Sequence, residues 1–264
     1  MVAKGFSQVE GVDYEETFAP VIRFSALRML FSIASSLNLE IDHLDVCAAF
    51  LNGSLDEEIY MELPESLKVD PNVRDPVCLL KRAIYGVKQS ARMWNVKATE
   101  VLLGLGFRQS KFEPCIFMNS FKNSVIYVAL FVDDFFIFYD NQREAMKLKE
   151  ALKSNFKTKD LGAVEYCLGM EVVRDRSKGE IKLTQKRFCL ETLERFGMKD
   201  AKPVNSPVNP SVKLEPAESC EYDVPYQRAI GSLMYLAVCT RPDIAFAVNH
   251  LSQFNNWCGT LVGS

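Results

Sequence analysis

The stretch Val125-Ile126-Tyr127-Val128-Ala129-Leu130-Phe131-Val132-Asp133-Asp134-Phe135-Phe136-Ile137-Phe138-Tyr139 decides the fold. Two adjacent aspartates interrupt a run that is otherwise apolar or aromatic and rich in strand-favouring residues, so it reads as two strands joined at the Asp pair. The expected hairpin carries two carboxylates at its tip. Charge so close to a buried sheet is unfavourable unless the carboxylates turn into water, take up protons or meet a cation, and a divalent metal is the strongest such partner. Asp favours turns, yet two-residue hairpin loops prefer Gly or Asn where φ is positive, and Asp-Asp fits that preference poorly. From this stretch alone, a plain turn and a metal site both stand.

On the N-terminal side, Ser25 is placed to cap a helix whose stripe is Leu27, Leu30, Phe31, Ala34 and Leu37. A strand follows, with Leu39, Ile41, His43 and Asp45 on one face and Asp45 at its end. Residues 57–63 alternate again, and 64–76 form a loop of Pro, Asp, Asn and Ser. The best basic patch is Lys81, Arg82, Lys88 and Arg92, in a loop opening a helix marked by Trp94, Ala98, Val101, Leu102 and Leu105. Such a patch suits phosphates near a helix N-terminus, although a solvated charged turn is the commoner reading of a patch taken alone.

On the C-terminal side, an amphipathic helix at 142–156 is expected to cover the sheet, which makes the organisation α+β. Lys157 to Gly162 break that helix, and 165–173 with 180–184 read as a further hairpin followed by a helix at 185–196. Pro203, Pro207, Pro210 and Pro216 punctuate a candidate linker at 201–225, before two apolar helices parted by Thr240-Arg241-Pro242.

With 264 residues and 48% hydrophobic content the chain can bury a sizeable core. It shows no bilayer-spanning run and no signal-peptide core near Met1, so a soluble intracellular protein is expected. Eight scattered cysteines without a C-x-x-C pair read as reduced, largely buried thiols. His43 and His250 are the only histidines, which leaves little for a zinc site or a histidine triad and favours carboxylate chemistry. A net charge of −3 is not that of a strongly basic nucleic-acid binder, so any such binding must use local patches. If strand pairing brings Asp45 beside Asp133 and Asp134, three carboxylates can hold two magnesium ions about 4 Å apart, one activating a hydroxyl and one neutralising a triphosphate.

The ordered motifs resemble the reverse transcriptase of copia-type LTR retrotransposons. They comprise Val2-Ala3-Lys4-Gly5-Phe6, Glu16-Thr17-Phe18-Ala19-Pro20-Val21, Leu44-Asp45-Val46 with Ala49-Phe50-Leu51-Asn52-Gly53, and Tyr85-Gly86-Val87-Lys88-Gln89-Ser90 with Arg92 and Trp94. Phe131-Val132-Asp133-Asp134, Lys159-Asp160-Leu161-Gly162, Leu168-Gly169-Met170-Glu171-Val172 and Thr240-Arg241-Pro242-Asp243-Ile244 complete them. The resemblance covers roughly 2–254. It implies a right-hand polymerase, with a palm of antiparallel sheet, partial fingers, and thumb-like and following helical segments. The implied division is a polymerase core at 1–200, a Pro-rich linker at 201–225 and a helical connection at 226–264 that stops before ribonuclease H.

The resemblance also implies roles. Asp45, Asp133 and Asp134 match the metal-binding, catalytic triad, with two Mg2+ ions as cofactors. Phe50 matches the aromatic residue that blocks a ribose 2′-hydroxyl, and Gln89 the nucleotide-pocket glutamine, with Lys88 and Arg92 beside phosphate or template. Leu168, Gly169, Met170 and Glu171 resemble the primer grip, and Lys159 lies where related polymerases place a general acid for pyrophosphate. Expected partners are an RNA or DNA template with its primer, deoxynucleoside triphosphates, and the ribonuclease H and integrase domains of a Pol polyprotein; no membrane is expected. Such an enzyme would work in cytoplasmic particles or the nucleus. The family's basic fingers segment lies upstream of Val2 and 255–264 leave the pattern, which reads as a fragment. A catalytically inactive relic with at most weak nucleic-acid binding is therefore the alternative.

Overall fold

The structure is a computed structural model that describes residues 2–64, 67, 75–121, 124–208, 214–215, 225–255 and 260–261. Its contacts divide the chain into two compact units, Met1–Val164 and Glu165–Ser264. That division falls inside the span 1–200 read as one polymerase core, and much of the expected linker lies outside the described residues.

The first unit is built on a six-stranded sheet. Its strands are β1 (Glu40–Val46), β4 (Arg108–Gln109), β5 (Ile116–Phe121), β6 (Ser124–Phe131), β7 (Asp134–Tyr139) and β8 (Thr158–Ala163), in the order β4-β5-β6-β7-β1-β8. Every neighbouring pair is antiparallel. A short ladder of β2 (Tyr60–Glu62) and β3 (Val77–Leu79) stands apart from it. Because side chains alternate along a strand, Leu44, Val46, Phe135, Ile137, Tyr139, Val128 and Leu130 share a core with two helices, α2 (Ser90–Gly104) and α3 (Gln142–Asn155). Both helices show the apolar spacing expected of a sheet cover, Trp94, Ala98 and Leu102 from one and Ala145, Leu148 and Leu152 from the other. Asn141 caps α3 by accepting from the amides of Arg143 and Glu144.

α1 (Phe24–Ser36) buries Leu27, Leu30, Phe31 and Ala34, and Phe31 meets Phe138 edge to face at 5.5 Å. Two expectations are corrected here. The helix starts at Phe24 with Arg23 as its uncapped N-cap, so Ser25 lies inside it, and Leu37 is its exposed C-cap residue rather than part of the stripe. An ionic network, buried at Asp42 and Lys149, ties α3 to the sheet. Lys149 pairs with Asp42 and, at 3.2 Å, with Asp160, while Tyr139 donates to Asp42 at 3.0 Å.

The second unit has a three-stranded sheet of β9 (Tyr166–Cys167), β10 (Met170–Asp175) and β11 (Glu180–Thr184), with β10 central. Its helices are α4 (Lys186–Arg195), α5 (Tyr226–Cys239) and α6 (Ala245–Ser252). The described cysteines form no disulfide with one another; Cys115, Cys167 and Cys239 are buried, while Cys47, Cys78 and Cys189 are only partly so.

Candidate active site

The two aspartates do not share the turn. Phe131 pairs with Asp134, so the two-residue loop is Val132-Asp133 and Asp134 is already the first residue of β7. This corrects the hairpin tip by one residue. Val132 takes φ +51°, a left-handed conformation that a β-branched side chain strongly disfavours. Two hydrogen bonds hold the loop. The Val46 amide donates to the Asp133 carbonyl at 2.8 Å, and the indole Nε1 of Trp94 donates to the Val132 carbonyl.

Across the sheet, Asp45 pairs with Asp134 on one side and with Lys159 on the other. The three stand in one row on one face of β7, β1 and β8. The bulge in β8 between the partners of His43 and Leu44 lies just beyond that row. The stretch that begins at Lys157, whose local pattern reads as a helix breaker, thus becomes an edge strand that sets Lys159 opposite Asp45 in the ladder. His43, two residues before Asp45 and on the same face, puts Nε2 2.6 Å from Oδ1 of Asp134 and stacks on Phe136 at 4.6 Å. Nothing local in the sequence pairs His43 with Asp134; only the β1–β7 register does.

Burial, and then the neighbouring charges of Asp134 and Asp45, push the Asp133 carboxyl above its ordinary value, although its own backbone N–H partly offsets this. The Asp133 carboxyl thus feels the charge of both neighbouring acids. Among the described residues, no three carboxylate, imidazole or thiol groups stand close enough to form a ready-made metal cage.

Phe50 is half-buried in the turn after β1, where Ala48 takes φ +52°, and its ring lies 4.3 Å from that of Tyr85. Burial, then Asp133 and Asp45, raise the Tyr85 hydroxyl, so this exposed tyrosine faces the same acids. Its place beside them was not foreseen from the sequence. Tyr85 is held by backbone contact with the N-terminal segment: the Ala3 amide donates to the Tyr85 carbonyl at 2.8 Å. Gly86, at φ +99°, lies so close to Ala3 that an added Cβ would come within 2.0 Å of its carbonyl oxygen. Two motifs far apart in sequence thus form one packed element.

The remaining candidates are distributed differently. Gln89 is 1% exposed, and its side-chain amide donates to the Asp13 carbonyl at 3.0 Å and to Glu57 at 3.2 Å while accepting from Gln8 at 3.1 Å. Lys88 is exposed and lies 5.6 Å from the centre of the Tyr14 ring, and Arg92 is half-buried on the first turn of α2. Leu168 and Gly169, both at positive φ, turn β9 into β10 in the second unit, where the Tyr235 hydroxyl donates to the Leu168 carbonyl at 2.7 Å. Met170 is fully buried and Glu171 is the next residue of β10.

An antiparallel sheet with helices packed on it and acids at a strand turn is the mixed architecture compatible with a reverse transcriptase domain. A family model described as reverse transcriptase (RNA-dependent DNA polymerase) matches residues 1–210, and the chain belongs to that family. Within it the chain is of the copia type found in transposon Pol polyproteins. It is 40% identical over 264 residues to the retrovirus-related Pol polyprotein from transposon TNT 1-94 of Nicotiana tabacum, covering 96% of this chain and 20% of that one. It is 38% identical to that from transposon RE1 of Arabidopsis thaliana, covering 96% and 17%. A transposon Ty5-1 protein of Saccharomyces cerevisiae is 30% identical over 213 residues, covering 80% and 68%. The chain spans about a fifth of the length of the two plant polyproteins it matches. No helix among the described residues is long and apolar enough to cross a membrane.

Proposed function

We propose that the chain is an RNA-directed DNA polymerase domain that extends a primer on an RNA or DNA template, with residues 1–200 as its core. The observation that carries this reading is the row of Asp134, Asp45 and Lys159 across three strands, with Asp133 on the adjoining turn. In donor chemistry the acids suit a divalent ion. They are oxygen donors on rigid strands, and like charge with partial burial raises one of them, a strain that a hard cation relieves. Asp45, Asp133 and Asp134 would hold two magnesium ions, which when bound activate the primer hydroxyl and neutralise the triphosphate.

The chain's own residues do the rest by positioning. His43 restrains the Asp134 carboxylate through one oxygen and leaves the adjacent strand row in register. Lys159, opposite Asp45, would donate a proton to pyrophosphate as it leaves. Phe50, backed by Tyr85, forms an apolar wall that excludes a 2′-hydroxyl. Gln89 braces the loop from inside, while Lys88 and Arg92 supply positive charge for triphosphate or template. Leu168 to Glu171 form the primer grip, and ribonuclease H and integrase domains of the polyprotein are the partners in the full element.

Primer extension on poly(rA) with magnesium tests the reading. Extension is expected from the wild-type chain and not from the double variant Asp133→Asn, Asp134→Asn. Extension by the double variant at the wild-type rate would refute the mechanism.

A further inference from the structure

Trp94 is almost wholly buried and packs edge-on against Phe135 and Phe156, at 6.4 and 5.0 Å. A phenylalanine or leucine could fill much of that volume, so packing alone does not call for an indole. Its one polar atom is spent on the Val132 carbonyl, at the residue whose φ of +51° is strained for a β-branched side chain. Strained backbone persists only where its surroundings over-determine it. Here the two loop carbonyls each have a separate anchor: the Val132 carbonyl is held by Trp94 from α2, and the Asp133 carbonyl by the Val46 amide from β1.

We infer that Trp94 is a positioning residue, whose indole N–H clamps the Val132-Asp133 turn and so fixes where Asp133 sits beside Asp45 and Asp134. The inference rests on the polymerase reading for its consequence, but not for the clamp itself. Fixing the Val132 carbonyl fixes the plane of the Val132–Asp133 peptide, and with it the N–H that helps hold the Asp133 carboxylate. Trp94 sits on the first turns of α2, directly after the loop that presents Tyr85. The helix that anchors the acid turn thus follows directly on the loop that carries Tyr85.

The test replaces Trp94 by 3-benzothienylalanine, which exchanges the indole N–H for sulfur at nearly the same volume, with Trp94→Phe alongside, in the full chain. Amide hydrogen exchange is the primary readout and needs no catalysis. The Val46 amide, which anchors the same turn, should exchange on the order of 3- to 10-fold faster in the sulfur analogue, as expected for one lost hydrogen bond. Exchange at Val128 and Ile137, in the body of the sheet, should be unchanged. Mn2+ affinity measured by electron paramagnetic resonance should fall, and kcat for primer extension should fall while KM for the deoxynucleotide stays within about twofold, the pattern of a misplaced group rather than a lost binding contact.

Unchanged Val46 exchange in the sulfur analogue would overturn the inference, whatever the activity. Acceleration spread evenly over the sheet would overturn it too, because it would make Trp94 a packing residue only. A turn loosened in the sulfur analogue, in a protein whose wild type neither binds Mn2+ nor extends a primer, would support the clamp and sink the polymerase reading. Trp94→Phe that fails to fold leaves the sulfur analogue to decide.

Discussion

Asp133→Asn should stabilise the protein while abolishing its chemistry. Asp133 is partly buried on a strained turn and near two other acids, and its carboxyl is raised above the ordinary 3.8, first by burial and then by Asp134 and Asp45. A folded-state value raised in this way means that the native protein binds its proton more tightly than the unfolded chain does. Stability is therefore fully present below 3.8 and is lost as pH rises through the raised folded value. Near neutral pH the ionised group is a net liability. Like charges on facing strands are unfavourable by roughly 0.2–1 kcal/mol, and partial solvent exposure keeps the figure near that range. The melting midpoint of Asp133→Asn should thus rise by about 0.4–4 °C near neutral pH in a chelator, for a domain of this size. Below the ordinary carboxylate value the gain should vanish. Magnesium should reverse the ranking: at ten times its dissociation constant it should add about 1.4 kcal/mol to the wild type and less to the variant. Scanning calorimetry at two pH values, with and without magnesium, reads all four arms. A lower midpoint for Asp133→Asn in chelator near neutral pH would show that the three acids do not repel one another, and the argument for a cation site would lose its footing.

Phe50→Val should raise ribonucleotide over deoxyribonucleotide incorporation by about 10-fold or more, measured as the ratio of kcat/KM values, with little change in melting; an unchanged ratio in a folded variant would make Phe50 a packing residue. Lys149→Met removes the partner of Asp42, which is 7% exposed, and should lower stability in denaturant titration by about 3–5 kcal/mol, whereas Lys149→Met with Asp42→Asn should recover most of it. Gly169→Ala should destabilise the second unit by about 2–4 kcal/mol, since the new Cβ would lie 2.2 Å from the Tyr235 hydroxyl at φ +76°, and limited proteolysis should detect the opening.

The readable parts of this protein were those in which a local period reports a local environment. The run around Asp133 and Asp134 announced two buried strands, the spacing of Trp94, Ala98 and Leu102 announced a helix covering them, and alternation through Ile41, His43 and Asp45 placed those three on one face. The exact turn was legible only in part. Asp-Asp looked like the loop because aspartate favours turns, yet the loop is Val132-Asp133, since pairing of Asp45 with Asp134 extends β7 by one residue. A gain of ladder hydrogen bonding there outweighs the poor fit of valine at positive φ, which no local preference would predict.

By itself the sequence determined the element types, the candidate acids and, through ordered motifs, the family, because composition and periodicity are properties of neighbouring residues. Only the tertiary structure decided which residues face the acids. Lys159 stands opposite Asp45 because β8 adds to the sheet edge. His43 reaches Asp134 because a register with period two carries residue 43 to the same face. Tyr85 and Trp94 arrive from a loop and helix anchored to Ala3 and to the core. Such contacts join residues far apart along the chain, and their geometry is set by how the core packs, which leaves no repeating mark in the sequence.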